Sequence, residues 1–217
     1  MASQKIEDKY KKYELREHIY NIPDTYVGSV NSTNLDLYLY DETSKSMKQK
    51  HITYVPALLK IFDEVIVNAI DHSVRLMIDE KNGKKEIKHM KNIKVDVDKK
   101  TGVISVSNDG NGIDVVIHET LQIYVPELVI GTLLTSTNYD HNEEKIIGGK
   151  GGYGLKLTNI FSKQFTVETV DHVRQRIFTQ SYRNNMLEKD KPSIRSSSKS
   201  PYAKISFLPD YERFAMK

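Results

Sequence analysis

The chain contains no cysteine, which excludes a disulfide scaffold and any cysteine-based zinc site. Its seven histidines nowhere form the His-Glu-x-x-His spacing of a zinc-protease helix, and they read as surface or internally satisfied residues. There is no apolar run long enough to span a bilayer and no signal-peptide start, so an intracellular location without membrane partners is expected. Neither sign of charge is in large excess: 32 Lys and Arg stand against 29 Asp and Glu, a net +3, and such a balance does not by itself announce a nucleic-acid binder. No internal repeat is visible. What is there is 217 residues, 38% hydrophobic and 28% charged. That is enough for one domain with a sizeable core and a rather polar surface.

The densest local signal lies at 148–154, which reads Gly-Gly-Lys-Gly-Gly-Tyr-Gly and runs on into Leu155-Lys156-Leu157. Glycines leave no side chain to build a core and expose backbone instead. Close-set N–H groups opening into a helix suit an anion, with Lys156 in the first turn aimed at the same charge. A P-loop is excluded, because Leu155 follows Gly154 and no Ser or Thr follows Lys156. A dinucleotide-binding loop is excluded too, because the polar stretch 139–145 is no buried strand. A flexible glycine lid remains the bland alternative.

Along the chain, residues 1–20 are charged and tyrosine-rich and read as an arm, and 31–50 as a loop or weak hairpin. Helical periodicity runs over 55–79. Residues 93–97 and 103–107 alternate like strands joined by a turn at 98–102. The stretch 81–91 is a basic, solvated connector. A helix is predicted over 125–134 and another from Gly154, strands over 165–170, 173–181 and 203–208, and a Ser/Lys-rich loop over 189–200. This order predicts an α+β two-layer sandwich with a mixed, mostly antiparallel sheet covered on one face by helices.

Two segments carry candidate chemistry. In the first long helix Leu58, Phe62, Val65 and Ala69 share one face, and Glu64, Asn68, Asp71 and Arg75 repeat the same spacing as a narrow polar stripe between Ile61, Val67 and Ile70. The stripe is either a solvated face with an Asp71–Arg75 pair or a general base, Glu64, one turn from a magnesium-ligating amide, Asn68. After the second strand comes Asn108-Asp109-Gly110-Asn111-Gly112-Ile113. It is either simple turn chemistry or a turn that lets Asn108 offer a donor and an acceptor to a nucleobase.

Taken in order, the helix Glu-x3-Asn-x2-Asp, the Asn-Asp-Gly-x-Gly turn and the glycine loop with its lysine resemble the GHKL (Bergerat-fold) ATPases. Within these, the chain is most similar to the ATPase region of eukaryotic-type DNA topoisomerase II. The similarity rests on Pro23-Asp24-Thr25-Tyr26-Val27-Gly28-Ser29, Lys60-Ile61-Phe62-Asp63-Glu64, Val67-Asn68-Ala69, Tyr124-Val125-Pro126, the stretch 133–140, Asn159-Ile160-Phe161-Ser162 and Phe165-Thr166-Val167-Glu168-Thr169. It extends from Tyr10 onward.

The resemblance implies ATP and Mg²⁺ as cofactors, Glu64 as catalytic base, Asn68 as metal ligand, and Asp71 and Arg75 in support. It implies that Asn108 reads adenine and that Ile113, Val129 and Ile130 line the base pocket. Thr135, Ser136, Thr137 and Asn138 would contact ribose and phosphates, and Lys150, Gly151, Gly152, Tyr153, Gly154 and Lys156 would hold the triphosphate. Ser206 would support the base, and Tyr10 would reach the nucleotide of a second subunit. Lys150-Gly151 stands where the family usually has Arg-Asn, and lysine lacks the bidentate fork of arginine. The implied organisation is an arm over 1–22 and an ATP-binding domain over 23–217. The implied whole is a longer type II topoisomerase with transducer and DNA-cleavage domains, partnered by double-stranded DNA and dimerising on ATP. It would work in the nucleus, or in a viral factory or virion if the source is viral. Another GHKL ATPase of chaperone or mismatch-repair type, or a non-hydrolysing nucleotide-binding adaptor, is the alternative.

Overall fold

The computed structural model describes residues 12–133 and 153–216. A short helix α1 (Leu15–Asn21) is followed by one 3₁₀ turn and a hairpin of β1 (Thr33–Asp41) and β2 (Ser46–Tyr54). The long helix α2 (Pro56–Lys81) comes next, then β3 (Ile93–Val97), β4 (Ile104–Asp109), α3 (Val125–Gly131) and α4 (Gly154–Ile160). The chain closes through β5 (Ser162–Asp171), β6 (Arg176–Arg183), β7 (Glu188–Lys189), β8 (Ser193–Ser196) and β9 (Tyr202–Pro209). The main sheet has the order β3-β4-β9-β5-β6-β7, with β8 also on β6. Every pairing in it among the described residues is antiparallel.

Strand alternation gives the sheet two unlike faces. Ile104, Val106, Phe165, Val167, Phe178, Tyr182, Ile205 and Phe207 join one core with Ile61, Val65, Leu157 and Ile160 of the helices. The other face is polar. Ser105, Ser206, Thr166 and Ser181 stand in register across four strands. Their hydroxyls pair, Ser105 with Ser206 at 2.8 Å and Thr166 with Ser181 at 2.9 Å. This is the two-layer α+β arrangement with one helix-covered face.

Two local expectations change, and of the two readings of 31–50, loop or weak hairpin, the hairpin holds. Residues 31–50 lie largely in a hairpin of nine paired positions, from Thr33↔Tyr54 to Asp41↔Ser46. Its alternation was hidden because polar side chains pair across the strands, Thr53 with Asn34 at 2.5 Å, His51 with Asp36 at 2.9 Å, and Lys48 and Lys50 with Asp41. The stretch 189–200 is not all loop, since β8 adds to β6 there.

The arm reading also stops short of residue 22. From Leu15 onward the chain packs into the domain, with Ile19 fully buried. Tyr20 stacks on Phe161 and donates to Asp210 Oδ2 at 3.1 Å, and Arg16 donates to the Asn185 carbonyl at 2.9 Å. A single buried isoleucine with polar clamps around it leaves no periodicity for a sequence to display.

Candidate functional site

The α2 helix starts with Pro56 at its first position, where the missing N–H costs nothing. Its buried residues are Ala57, Ile61, Val65, Ala69, Asp71 and Leu76. Ile61, read from sequence as a neighbour of the polar stripe, is therefore central to the apolar face. This turns Glu64 and Asn68 toward the start of α4. Thr158 of α4 fastens the two helices, donating its hydroxyl to the Ile61 carbonyl at 2.8 Å, fully buried.

The contact at that junction is tight. A Cβ placed on Gly154 would lie 2.5 Å from Glu64 Oε2 and 2.9 Å from Asn68 Nδ2. Only glycine lets α4 begin here without displacing the ends of this carboxylate–amide pair. Asn68 Nδ2 donates to the Glu64 backbone carbonyl at 2.8 Å, so the amide presents its carbonyl oxygen as the remaining ligand atom. Lys60 Nζ pairs with Glu64 Oε1 at 2.5 Å, and that hydrogen bond holds the ammonium above the usual lysine range. Further along the stripe, Asp71 is buried. Burial lowers the Arg75 guanidinium from its ordinary value, against the opposing charges of Asp71 and Asp79.

Next to this junction lies a pocket that opens to solvent. Val65, Asn68, Ala69 and His72 of α2 form one wall, and Val106, Asn108, Val167, Ala203 and Ile205 of the sheet another, with Ile113, Ile130 and Leu155 closing it. Asn108 is buried and donates Nδ2 to the Asp109 carbonyl at 3.0 Å, which leaves its side-chain oxygen as an acceptor. The turn that carries it is pinned from several sides. Asp109 accepts the Lys91 and Asn92 amides at 2.6 and 2.9 Å. Gly110 has φ +93°, and a Cβ on Gly112 would collide with the Val170 carbonyl. The second glycine of the turn thus serves close packing against β5, not approach of a ligand.

Of the sequence-based site residues, Glu64, Asn68, Asn108, Ile113, Ile130 and Gly154 come together as expected in space. Val129 packs against the core and is not among the pocket's lining residues. Tyr153 lies at the N-cap of α4 with its ring 6.1 Å from that of Tyr26. Lys156 is 2% exposed, and burial lowers its ammonium to about 8.

Ser206 is not in the pocket: it sits on the open polar face, bonded to Ser105. Strand parity is the reason, since Ile205 faces the helices and its neighbour must face away. The β9 residue that meets Asn108 is Ala203, its register partner. Tyr10, Thr135, Ser136, Thr137, Asn138, Lys150, Gly151 and Gly152 lie outside the described residues. Sequence reading missed His72, Ala203 and Thr158. His72 continues the Asn68 row by one further turn, a spacing that was legible.

These features fit the Bergerat-type ATPase arrangement that the sequence resembles, and comparison with known proteins gives the family. Residues 53–191 match the model of the histidine kinase-, DNA gyrase B- and HSP90-like ATPases. The chain belongs to that family. Within it, the relatives are topoisomerases. DNA topoisomerase 2 of Acanthamoeba polyphaga mimivirus is 49% identical over 216 residues, covering 98% of this chain and 16% of that protein. The crystal structure of the ATPase region of Saccharomyces cerevisiae topoisomerase II superposes with a TM-score of 0.88 at 44% identity, covering 97% of this chain and 53% of that one. The ATPase and transducer domains of DNA topoisomerase II from Balamuthia mandrillaris give 0.89 at 44% identity, covering 97% and 52%. The chain therefore spans about a sixth of its viral relative and about half of these solved chains.

Proposed function

We propose that this chain binds ATP with Mg²⁺, hydrolyses it, and thereby drives the clamp of a type II DNA topoisomerase. The observation that carries the reading is the start of α4 pressed onto Glu64 and Asn68 at Gly154. The carboxylate and the amide there lie against Gly154, the last of the glycines that read from sequence as suited to a triphosphate. Glu64 acts as general base and takes a proton from water as the water oxygen attacks the γ-phosphorus; ADP leaves with the electrons of the broken P–O bond. Asn108 accepts from the adenine amino group with its free side-chain oxygen, and the apolar pocket walls hold the ring. Asp71 and Arg75 support the helix stripe, and Lys156 adds positive charge near the phosphates.

The residues present fit Mg²⁺. Among the described residues no group of three acidic, histidine or cysteine side chains could hold a metal unaided. The Asn68 carbonyl oxygen is a hard ligand of the kind Mg²⁺ takes, in a site it completes with substrate oxygens and water. When bound, the ion neutralises phosphate charge.

Residues 135–138 and Lys150, Gly151 and Gly152 are proposed contacts to ribose and phosphates, and Tyr10 to the nucleotide of a second copy. Dimerisation on ATP, passage of double-stranded DNA and a place in the nucleus or a viral factory belong to the same proposal. They are supported by relatives named DNA topoisomerase 2 in a virus and in yeast. The test is Glu64→Gln. Affinity for ATP should hold while hydrolysis falls by about 10²–10⁴-fold, the usual value of a general base. Turnover near that of the unmodified protein removes Glu64 from the role.

A further inference from the structure

His72 is the one pocket-lining side chain on α2, besides Asn68, that carries polar atoms. Its Nε2 lies 2.6 Å from the Asn111 carbonyl oxygen. A carbonyl can only accept, so Nε2 carries the hydrogen and the tautomer is fixed. Burial takes the imidazole below its ordinary range, against the Asn111 hydrogen bond and with a smaller push from Arg75.

Asn111 belongs to the turn that follows Asn108. On its far side that turn is tied to the connector: Asn111 Oδ1 accepts the Lys88 amide at 2.7 Å, and the Asn111 amide donates to the Lys88 carbonyl at 3.1 Å. Gly110 is closed in by Leu76, Met90 and Lys88, and Ile113 N donates to Thr169 Oγ1 at 2.9 Å. The connector and the sheet thus hold the turn from outside. From the α2 side the hydrogen bond that holds it comes from His72.

We propose that His72 is a positioning residue for nucleobase selectivity, fixing through Asn111 the angle at which Asn108 meets the base edge. The inference rests on reading the pocket as the base site. It assigns discrimination to two residues on different elements: Asn108 makes the contact and His72 aims it. Selectivity between bases depends on a polar group being placed well enough that the wrong edge leaves it unpaired. A loosened turn lets Asn108 adapt to the wrong base, so discrimination falls more than affinity.

Dissociation constants for the β,γ-imido analogues of ATP and GTP, measured by calorimetry with Mg²⁺, test this. For the unmodified protein the adenine analogue should bind more tightly. His72→Phe keeps the ring volume and loses the N–H; the preference should shrink by about fivefold, the worth of one hydrogen bond. His72→Gln, whose amide reaches the position of Nε2, should keep the preference within about twofold. Should the Phe variant not fold, His72→Met replaces it. A preference unchanged in Phe or Met, or lost as fully in Gln as in Phe, overturns the proposal while leaving the base pocket in place. Binding of neither analogue by the unmodified protein overturns the pocket reading, and this proposal with it.

Discussion

Gly154→Ala separates stability from chemistry at this site. The added methyl carbon would sit 2.5 Å from Glu64 Oε2, where ordinary contact begins at 3.4 Å, so that oxygen must move by about 0.9 Å. Asn68 Nδ2, at 2.9 Å, must move by about 0.5 Å on the same scale. Both are ends of flexible side chains, so the backbone need not yield. Gly154 opens α4 without a positive φ, and alanine at a helical position is favoured over glycine by up to about 1 kcal/mol. The melting temperature should therefore stay level or rise slightly. Hydrolysis should fall, because a misplacement near 1 Å of a catalytic group costs on the order of 10²-fold. Affinity for a non-hydrolysable ATP analogue should change by no more than several-fold. In a Glu64→Gln background the same change should add little, since both act through one carboxylate. The assay is single-turnover hydrolysis beside calorimetry and a thermal melt. Turnover within threefold of the unmodified protein, with an unchanged melt, refutes the close approach of α4 to a working base.

Asn108→Ala should weaken the ATP analogue by about 1–3 kcal/mol, the cost of an unpaired base edge; calorimetry on a variant shown to be folded reads it, and unchanged affinity removes Asn108 from base recognition. Burial pushes the Lys156 ammonium down to about 8 from the ordinary 10.5. The folded state therefore binds that proton more weakly, and this group's share of stability rises with pH between about 8 and 10.5 and is lost as pH falls through 8. If its ammonium assists the phosphates, analogue affinity should decline as pH rises through 8, and Lys156→Met should flatten that slope; a slope unchanged in the variant excludes it. Among the described residues, neither side-chain polar atom of the buried Asn159 has a hydrogen-bond partner. Asn159→Leu should accordingly raise stability by about 1–2 kcal/mol in denaturant melts, and a loss instead shows that the amide is satisfied in solution.

What the sequence could reveal follows from the range of the forces involved. The α2 helix was readable within two residues of its ends because 3.6-residue periodicity is local, and so were β3, β4 and the turn between them. The Glu64–Asn68 spacing was readable for the same reason. Its two readings, solvated face or ligand site, could not be weighed without what packs against it, and that is Gly154 from a distant segment.

Parity on β9 shows the same limit from the other side. Alternation alone says that Ser206 and Lys204 share a face and that Ala203 and Ile205 share the other. Which of the two faces the pocket is decided by β4, which brings Ala203 opposite Asn108 and Ser206 opposite Ser105. A hydroxyl was placed beside the base by likeness to a family pattern, and the register moved it to the open face.

The pocket that results has few polar groups, namely Asn68, Asn108 and His72 among its described lining residues. If the pocket takes the base as proposed, recognition there depends heavily on how firmly Asn108 is held. That firmness comes from Asp109, Gly110, Asn111 and Gly112, whose partners all lie on other elements. On the proposed reading, the turn residues that looked like ordinary loop chemistry are therefore the ones through which the rest of the fold would reach the ligand.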